Sequence, residues 1–273
     1  MQSFQGTGVL VTGAGRGIGK RLALGFAAQG ARVGLLARSK AELDLAHLEI
    51  EHAGGVSLRI RADVTDSEQM TAAADRMRVS FGGVQVLVCA AAIQGSVGQF
   101  VESPAKTWAE VIHTNVIGVA NSIRAVLPSM IERRSGKIVV LSGAGAGSPR
   151  PNFSAYAASK AALARLVETL AEEVREHNVQ INCMNPGPSY THMTDEILKA
   201  GPRAGEREIE TALEARRTGG VPAAQQIELA LFLASEESNH ISGRLLHVTD
   251  NWKRLKDHAI DQDAFTLRRI HRG

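Results

Sequence analysis

A phenol and an ammonium stand four residues apart in Tyr156-Ala-Ala-Ser159-Lys160. The segment Ala155–His177 has helical periodicity, and positions i and i+4 share one helix face. The two groups therefore project to the same side. A free phenol has a pKa of about 10 and is a poor proton donor or acceptor at neutral pH. A nearby positive charge favours the phenolate. Lys160 supplies part of that charge, and the positive ring of a bound cofactor can supply more. Tyr156 is thus a candidate general acid/base. The spacing alone is common on helices, so its surroundings must decide.

Upstream, the apolar run Gly8–Thr12 passes into Thr12-Gly13-Ala14-Gly15-Arg16-Gly17-Ile18-Gly19, where helical periodicity begins at once. Strand, glycine turn and helix form the context that a pyrophosphate requires. Glycines let the backbone turn tightly beside the phosphates, and the helix start offers free N–H groups and a positive dipole end. An NAD site calls for an acid about 20 residues beyond the loop, on the ribose 2′-hydroxyl. The chain reads Leu36-Ala37-Arg38-Ser39 there. A guanidinium binds a 2′-phosphate by charge-assisted hydrogen bonds, whereas a carboxylate repels it. Arg38, with Arg16 inside the loop, points to NADP(H).

These residues need a scaffold. The chain has 273 residues, 44% hydrophobic and 22% charged, which suits one large α/β domain. Strand patterns at Gly8–Thr12, Arg32–Leu36, Val56–Arg61, Val84–Cys89, Lys137–Leu141, Val179–Met184 and Leu245–Val248 are mostly apolar throughout, as in a parallel sheet covered on both faces. Helical patterns lie between them at Gly17–Gln29, Lys40–His52, Ser67–Ser80, Thr107–Leu127, Ala155–His177 and Ala223–Ser235. The alternation predicts a single doubly wound Rossmann-type α/β domain over residues 1–273, with a mostly parallel seven-stranded sheet and helices on both faces. Asp66 is an N-cap candidate with Gln69 as its capping-box partner, and Pro128 suits the end of the fourth helix. The polar segment 190–220 interrupts the rhythm at a strand's carboxyl end, where open α/β sheets bind ligands, and reads as a substrate lid. Two short surface helices are the alternative. The charged tail, 252–273, packs on a neighbour or frays.

Several classes are excluded at this level. The net charge is +3, but basic residues are scattered among acids apart from pairs such as Arg133-Arg134, Arg216-Arg217 and Arg268-Arg269, so no nucleic-acid partner is expected. Two isolated cysteines, Cys89 and Cys183, make neither a zinc set nor a disulfide framework; no metal is expected. Met1–Gly6 lacks a signal-peptide pattern, and no uncharged apolar stretch reaches the roughly 18 residues of a membrane span. A cytoplasmic location without membrane partners follows.

The glycine loop is followed by Asp63-Val64 after the third strand, Asn115 in the fourth helix and Ser142 ending the fifth strand. Tyr156 and Lys160 come next, then Asn185-Pro186-Gly187 with Thr191. In this order, from about Gly6 to Thr249, the chain resembles the short-chain dehydrogenase/reductase family. The resemblance implies catalytic roles for Tyr156, Lys160, Ser142 and Asn115. Tyr156 moves the proton, Lys160 lowers its pKa and binds the nicotinamide ribose, and Ser142 holds the oxyanion. Asn115 positions a water that links Lys160 to solvent. It also implies a cofactor site of Thr12, Gly13, Gly15, Arg16, Gly17, Ile18, Gly19, Arg38, Asp63, Val64, Ala90, Tyr156, Lys160, Pro186, Gly187 and Thr191.

Two departures stand out. The family's N-N-A-G segment is Cys89-Ala90-Ala91-Ala92 here. The usual serine-to-tyrosine gap is about thirteen residues, but Ser142 lies fourteen before Tyr156 and Gly143 lies thirteen before it. Either the loop Gly143–Ser154 is one residue longer, or the serine is missing. The stretch Gly143–Gly147 can absorb an insertion, which favours Ser142; Ser148 or Ser154 could substitute.

The expected activity is NADP(H)-dependent hydride transfer between the nicotinamide and a carbonyl or secondary-alcohol carbon of a small, polar substrate. Gln94, Arg150, Asn152, Phe153, Tyr190 and Met193 are expected to line its pocket. A non-redox dehydratase or epimerase of the same fold, and an inactive cofactor-binding sensor or scaffold, are the alternatives. The fourth and fifth helices, with small residues at Gly118, Ala120, Ala161, Ala162 and Ala164, suggest a homo-oligomer of two or four subunits. A second interface through Ala223–Val248 and the tail would complete a tetramer.

Overall fold

Strands β1 (Gly8–Thr12), β4 (Val86–Cys89), β5 (Gly136–Leu141) and β6 (Val179–Asn185) are buried almost throughout, as continuous apolar runs require. With β2 (Arg32–Ala37), β3 (Val56–Arg61) and β7 (Leu245–His247) they form one sheet in the order β3-β2-β1-β4-β5-β6-β7, every pair parallel. The computed structural model describes residues 3–256, 260–261 and 263–268. Edge strand β3 differs from its neighbours: Arg59 and Arg61 face water, and only Ile60 is fully buried. The chain reverses direction across the sheet between β1 and β4, so a crevice opens beyond Thr12 and Cys89.

Helices α1 (Gly17–Ala28), α2 (Lys40–His52) and α3 (Ser67–Phe81) follow the expected rhythm. Asp66 caps α3 by accepting from the Glu68 and Gln69 N–H groups. Gln69 does not close a capping box, because its amide donates to the Asp66 carboxylate and accepts from the Asp63 N–H.

The fourth helix departs from its expected bounds, Thr107–Leu127. It runs as α4 (Ala105–Ile112), a π turn (His113–Ile117) and α5 (Gly118–Glu132). The wider turn carries Asn115 inward to full burial. Pro128 lies inside α5 and does not end it. A proline forfeits one backbone bond, and buried Val126 and Met130 hold the turns on either side. Gly118 is not free for a partner helix, since a β-carbon there would stand 2.6 Å from Val64 Cγ2 of the same chain.

Helix α6 (Ser154–Glu173) is shorter than expected, with a separate 3₁₀ turn at Arg175–His177. The lid segment contains α7 (His192–Ala200) and α8 (Glu206–Thr218), before α9 (Ala223–Ala234). Ile197, Ala204 and Ala212 of this excursion pack with Phe153 and Tyr156 in their own apolar cluster. The excursion is thus two helices packed against the start of α6.

The described part of the tail makes contacts within its own chain. Trp252 stacks on Phe232 with centroids 5.1 Å apart. The Leu245 N–H donates to Phe265 O at 2.7 Å, and Arg165 donates to Leu267 O at 2.7 Å. Residues 257–259, 262 and 269–273 of the tail, Arg269 among them, lie outside the described residues, as do Met1 and Gln2. Among the described residues no helix is long and apolar enough to cross a membrane. Nor does any group of three or more His, Cys, Asp or Glu gather to hold a metal.

Candidate active site

A cleft of about 1290 Å³ opens over the carboxyl ends of the strands. Gly13, Gly15, Arg16, Gly17, Ile18, Gly19, Arg38, Asp63, Val64 and Ala90 line it, as do Ser142, Tyr156, Lys160, Pro186, Gly187 and Thr191. Two expected members are buried outside the lining. Thr12 Oγ1 accepts from the Ala90 and Ala91 N–H groups at 3.2 and 3.4 Å, bracing the altered 89–92 segment against β1. Asn115 accepts from the Ile93 N–H at 2.9 Å and gives its amide hydrogens to Ile93 O and Ser159 Oγ at 2.9 and 3.0 Å. Asn115 thus ties the strand-4 loop to the helix that carries Tyr156.

The loop after β1 closes only with glycine at its tightest points. A β-carbon at Gly13 would stand 2.7 Å from Ala91 Cα, and one at Gly19 would collide with Gly13 O. No side chain caps the start of α1, so its first N–H groups remain free as donors. Arg16 and Arg38 stand at the same end of the cleft, each beside an acid: Arg16 Nη1 is 3.3 Å from Glu42 Oε1, and Arg38 Nη1 is 3.7 Å from Asp63 Oδ2. Burial pushes the Asp63 carboxyl up, but hydrogen bonds from Thr65 and the Arg38 charge outweigh it and hold it below the usual carboxylate range. Glycine cradle and uncapped helix start fit the pyrophosphate of a dinucleotide, with two guanidiniums and their acids beside it.

Tyr156 and Lys160 share the buried face of α6, with Lys160 Nζ 5.3 Å from the tyrosine ring centroid. Nζ donates to Leu141 O at 2.9 Å. Burial lowers the Lys160 pKa to about 8. Burial also raises the Tyr156 hydroxyl, helped by Glu208 and opposed by Arg150. Two cations therefore flank the phenol, Lys160 at 5.3 Å and Arg150 at 5.2 Å from its ring centroid.

The two serine readings separate in space. A β-carbon on Gly143 would stand 2.9 Å from Tyr156 Oη. Ser142 Oγ is enclosed and makes no hydrogen bond, to Tyr156 or to any other described group. Position 143 stands beside the tyrosine hydroxyl, whereas Ser142 lines the cleft without a hydrogen bond to it. Accordingly, Ser142→Ala should cost less than about tenfold in turnover. Gly143→Ser should exceed Gly143→Ala by about tenfold or more, since both crowd the tyrosine but only the serine donates to the reacting oxygen. Steady-state rates of the three variants decide it; a large loss in Ser142→Ala with equal Gly143 variants would reverse the assignment.

Of the residues expected around the substrate, Gln94, Arg150, Asn152 and Met193 line the cleft. Phe153 does not; it is fully buried beneath the Arg150 guanidinium. Tyr190 points outward, its hydroxyl donating to Asp195 at 3.0 Å. Glu206, Arg207, Glu208 and Thr211 of the lid also line the cleft. Their placement depends on how α8 folds back, and only the polarity of 190–220 hinted at it.

The family model for short chain dehydrogenase matches residues 7–201. The chain belongs to the short-chain dehydrogenase/reductase family of oxidoreductases. It is 39% identical over 248 residues to galactitol 2-dehydrogenase (L-tagatose-forming) of Cereibacter sphaeroides, covering 90% of this chain and 94% of that protein. It is 33% identical over 246 residues to 3-oxoacyl-[acyl-carrier-protein] reductase FabG of Thermotoga maritima, covering 90% and 97%. Among solved structures it resembles a gluconate 5-dehydrogenase from Burkholderia cenocepacia in complex with NADP and tartrate, with a TM-score of 0.80, 26% identity and coverage of 93% and 97%.

Proposed function

We propose that this chain is an NADP(H)-dependent carbonyl reductase and secondary-alcohol dehydrogenase for a small, polar substrate. The observation that carries the reading is the cleft itself. It joins two guanidiniums at the phosphate end of a glycine cradle to a buried Tyr156–Lys160 pair at the other end.

The bound nicotinamide supplies or accepts the hydride. Tyr156 Oη gives a proton to the carbonyl oxygen in reduction and takes it back in oxidation. Lys160, held at Leu141 O, is the candidate to hold the nicotinamide ribose. Asn115 keeps α6 in register with the strand-4 loop through Ser159 and Ile93. Arg38 and Arg16 hold the 2′-phosphate. Pro186, Gly187 and Thr191 are the candidates to hold the nicotinamide amide. Homo-oligomerisation through α5 and α6 belongs to the same proposal, though without Gly118.

The test is consumption of NADPH, followed at its absorbance band, against ketoses, keto acids and cyclic ketones, with the matching alcohols and NADP⁺ in reverse. Turnover of at least one pair supports the reading. A purified protein that binds NADPH tightly yet turns over none in either direction refutes it.

A further inference from the structure

Arg150 reaches the cleft from the loop before α6, and its side chain is only 9% exposed. Its guanidinium lies 3.9 Å above the Phe153 ring centroid and 5.2 Å from that of Tyr156. Stacking on Phe153 fixes the plane of the fork. Nε and Nη2 donate to Glu208 Oε1 and Oε2 at 3.0 and 2.8 Å, in the two-point geometry that a guanidinium offers to a planar carboxylate. Glu208 comes from the first turn of α8, in the segment that covers the cleft, and is the more exposed partner at 22%.

Neither residue belongs to the cofactor cradle or carries the transferred proton, and their opposite charges act against each other on the Tyr156 phenol. A buried cation must keep an anionic partner, because leaving it unpaired in a low-dielectric site is costly. If α8 shifts to admit a substrate, Arg150 needs another anion. Gly205, immediately before α8, has φ +89°, and Gly219 and Gly220 after it have φ +86° and +75°. These residues flank the helix with backbone that other residues rarely adopt.

We propose that Arg150 anchors a carboxylate carried by the substrate, and that Glu208 stands in for that carboxylate until the substrate displaces it. The substrate class is then a hydroxy acid and its keto acid, with the acid group a few carbon–carbon bonds from the carbon that reacts at Tyr156. A neutral polyol cannot take over the fork and leaves Glu208 in place. This inference rests on the oxidoreductase reading above and narrows it.

The experiment compares kcat/KM for an aldonate and for the matching alditol, with NADP⁺, in the full-length enzyme. In Arg150→Met the acid-to-alditol ratio should fall by about 10²-fold, chiefly through KM. Arg150→Lys should restore part of it, since it keeps the charge and loses the fork. Glu208→Gln should lower KM for the acid, because the internal competitor has lost its charge. An equal fall for both substrates in Arg150→Met, matched by Glu208→Gln, would overturn the proposal and leave the pair as a lid latch. A second readout needs no turnover: tartrate or gluconate should raise the melting temperature of the NADP⁺-loaded wild type and not of Arg150→Met. If both proteins respond alike, the anchor is wrong. If only the wild type responds while neither substrate is oxidised, the carboxylate site stands and the redox reading fails.

Discussion

Replacing Tyr156 with phenylalanine is expected to cut turnover by at least about 10²-fold, the usual scale for a positioned acid–base group. The fold should scarcely notice. The ring packs with Phe153, Ile197, Ala204 and Ala212, and phenylalanine keeps those contacts. The hydroxyl donates no hydrogen bond to any described residue, so its removal orphans no partner. Burial and Glu208 hold the phenol above its ordinary pKa, against the pull of Arg150. The group therefore stays protonated through neutral pH and is ready to act as an acid. Oxidation needs the deprotonated form, so its rate should climb as pH rises, whereas reduction should stay flat until the phenol ionises. Turnover and melting temperature of the purified variant, and pH–rate profiles of the wild type in both directions, check the three parts. Wild-type turnover in a folded variant would remove Tyr156 from the chemistry.

The second large effect is expected at the opposite end of the cleft. Arg38→Asp should lower the ratio of kcat/KM with NADPH to that with NADH by about 10²-fold or more. The change removes a cation from the phosphate position and adds a like charge there. The new carboxylate would stand close to Asp63, which is held ionised, so two negative charges would face the incoming phosphate. A ribose 2′-hydroxyl could instead donate to either acid. Arg38 is largely exposed and Arg61 touches only its backbone oxygen, so the substitution should leave stability nearly unchanged. Parallel kinetics with the two cofactors give the ratio. If it does not move, the phosphate is read by Arg16, or the cofactor is NAD(H).

Much of this architecture can be read along the chain because its signals are local. Seven short apolar or β-branched runs separated by helical periodicity specify a parallel sheet, and the turn from Thr12 to Gly19 is dictated by glycines, of which Gly13 and Gly19 leave no room for a β-carbon. The failures are equally physical. Nothing in His113–Ile117 marks a π turn, since the extra residue is accommodated by the contacts of Asn115 with Ile93 and Ser159, far apart in sequence. Pro128 carries a breaker's signature, yet two buried neighbours outweigh one lost bond. The loop's capacity to absorb an insertion favours Ser142 in the sequence, but which α-carbon comes to rest beside Tyr156 Oη is set by the fold, and there it is that of Gly143. Phe153 and Tyr190 flank the catalytic loops in sequence, but neither lines the cleft, since Phe153 is buried beneath Arg150 and the Tyr190 hydroxyl turns to Asp195. Glu208 has no local sign beyond the polarity of its segment, because its partner is 58 residues upstream.

The two thiols have a practical consequence. Cys89 and Cys183 are fully enclosed, and burial raises both, Cys183 to about 12. Alkylation proceeds through the thiolate, and neither side chain forms one at neutral pH or admits a reagent. The native chain is therefore already a silent background for labelling. A single cysteine introduced on the outer face of α8 would be the reactive one among the described positions. A dye placed there would report the movement of the cover directly, without first stripping the protein of its own sulfur.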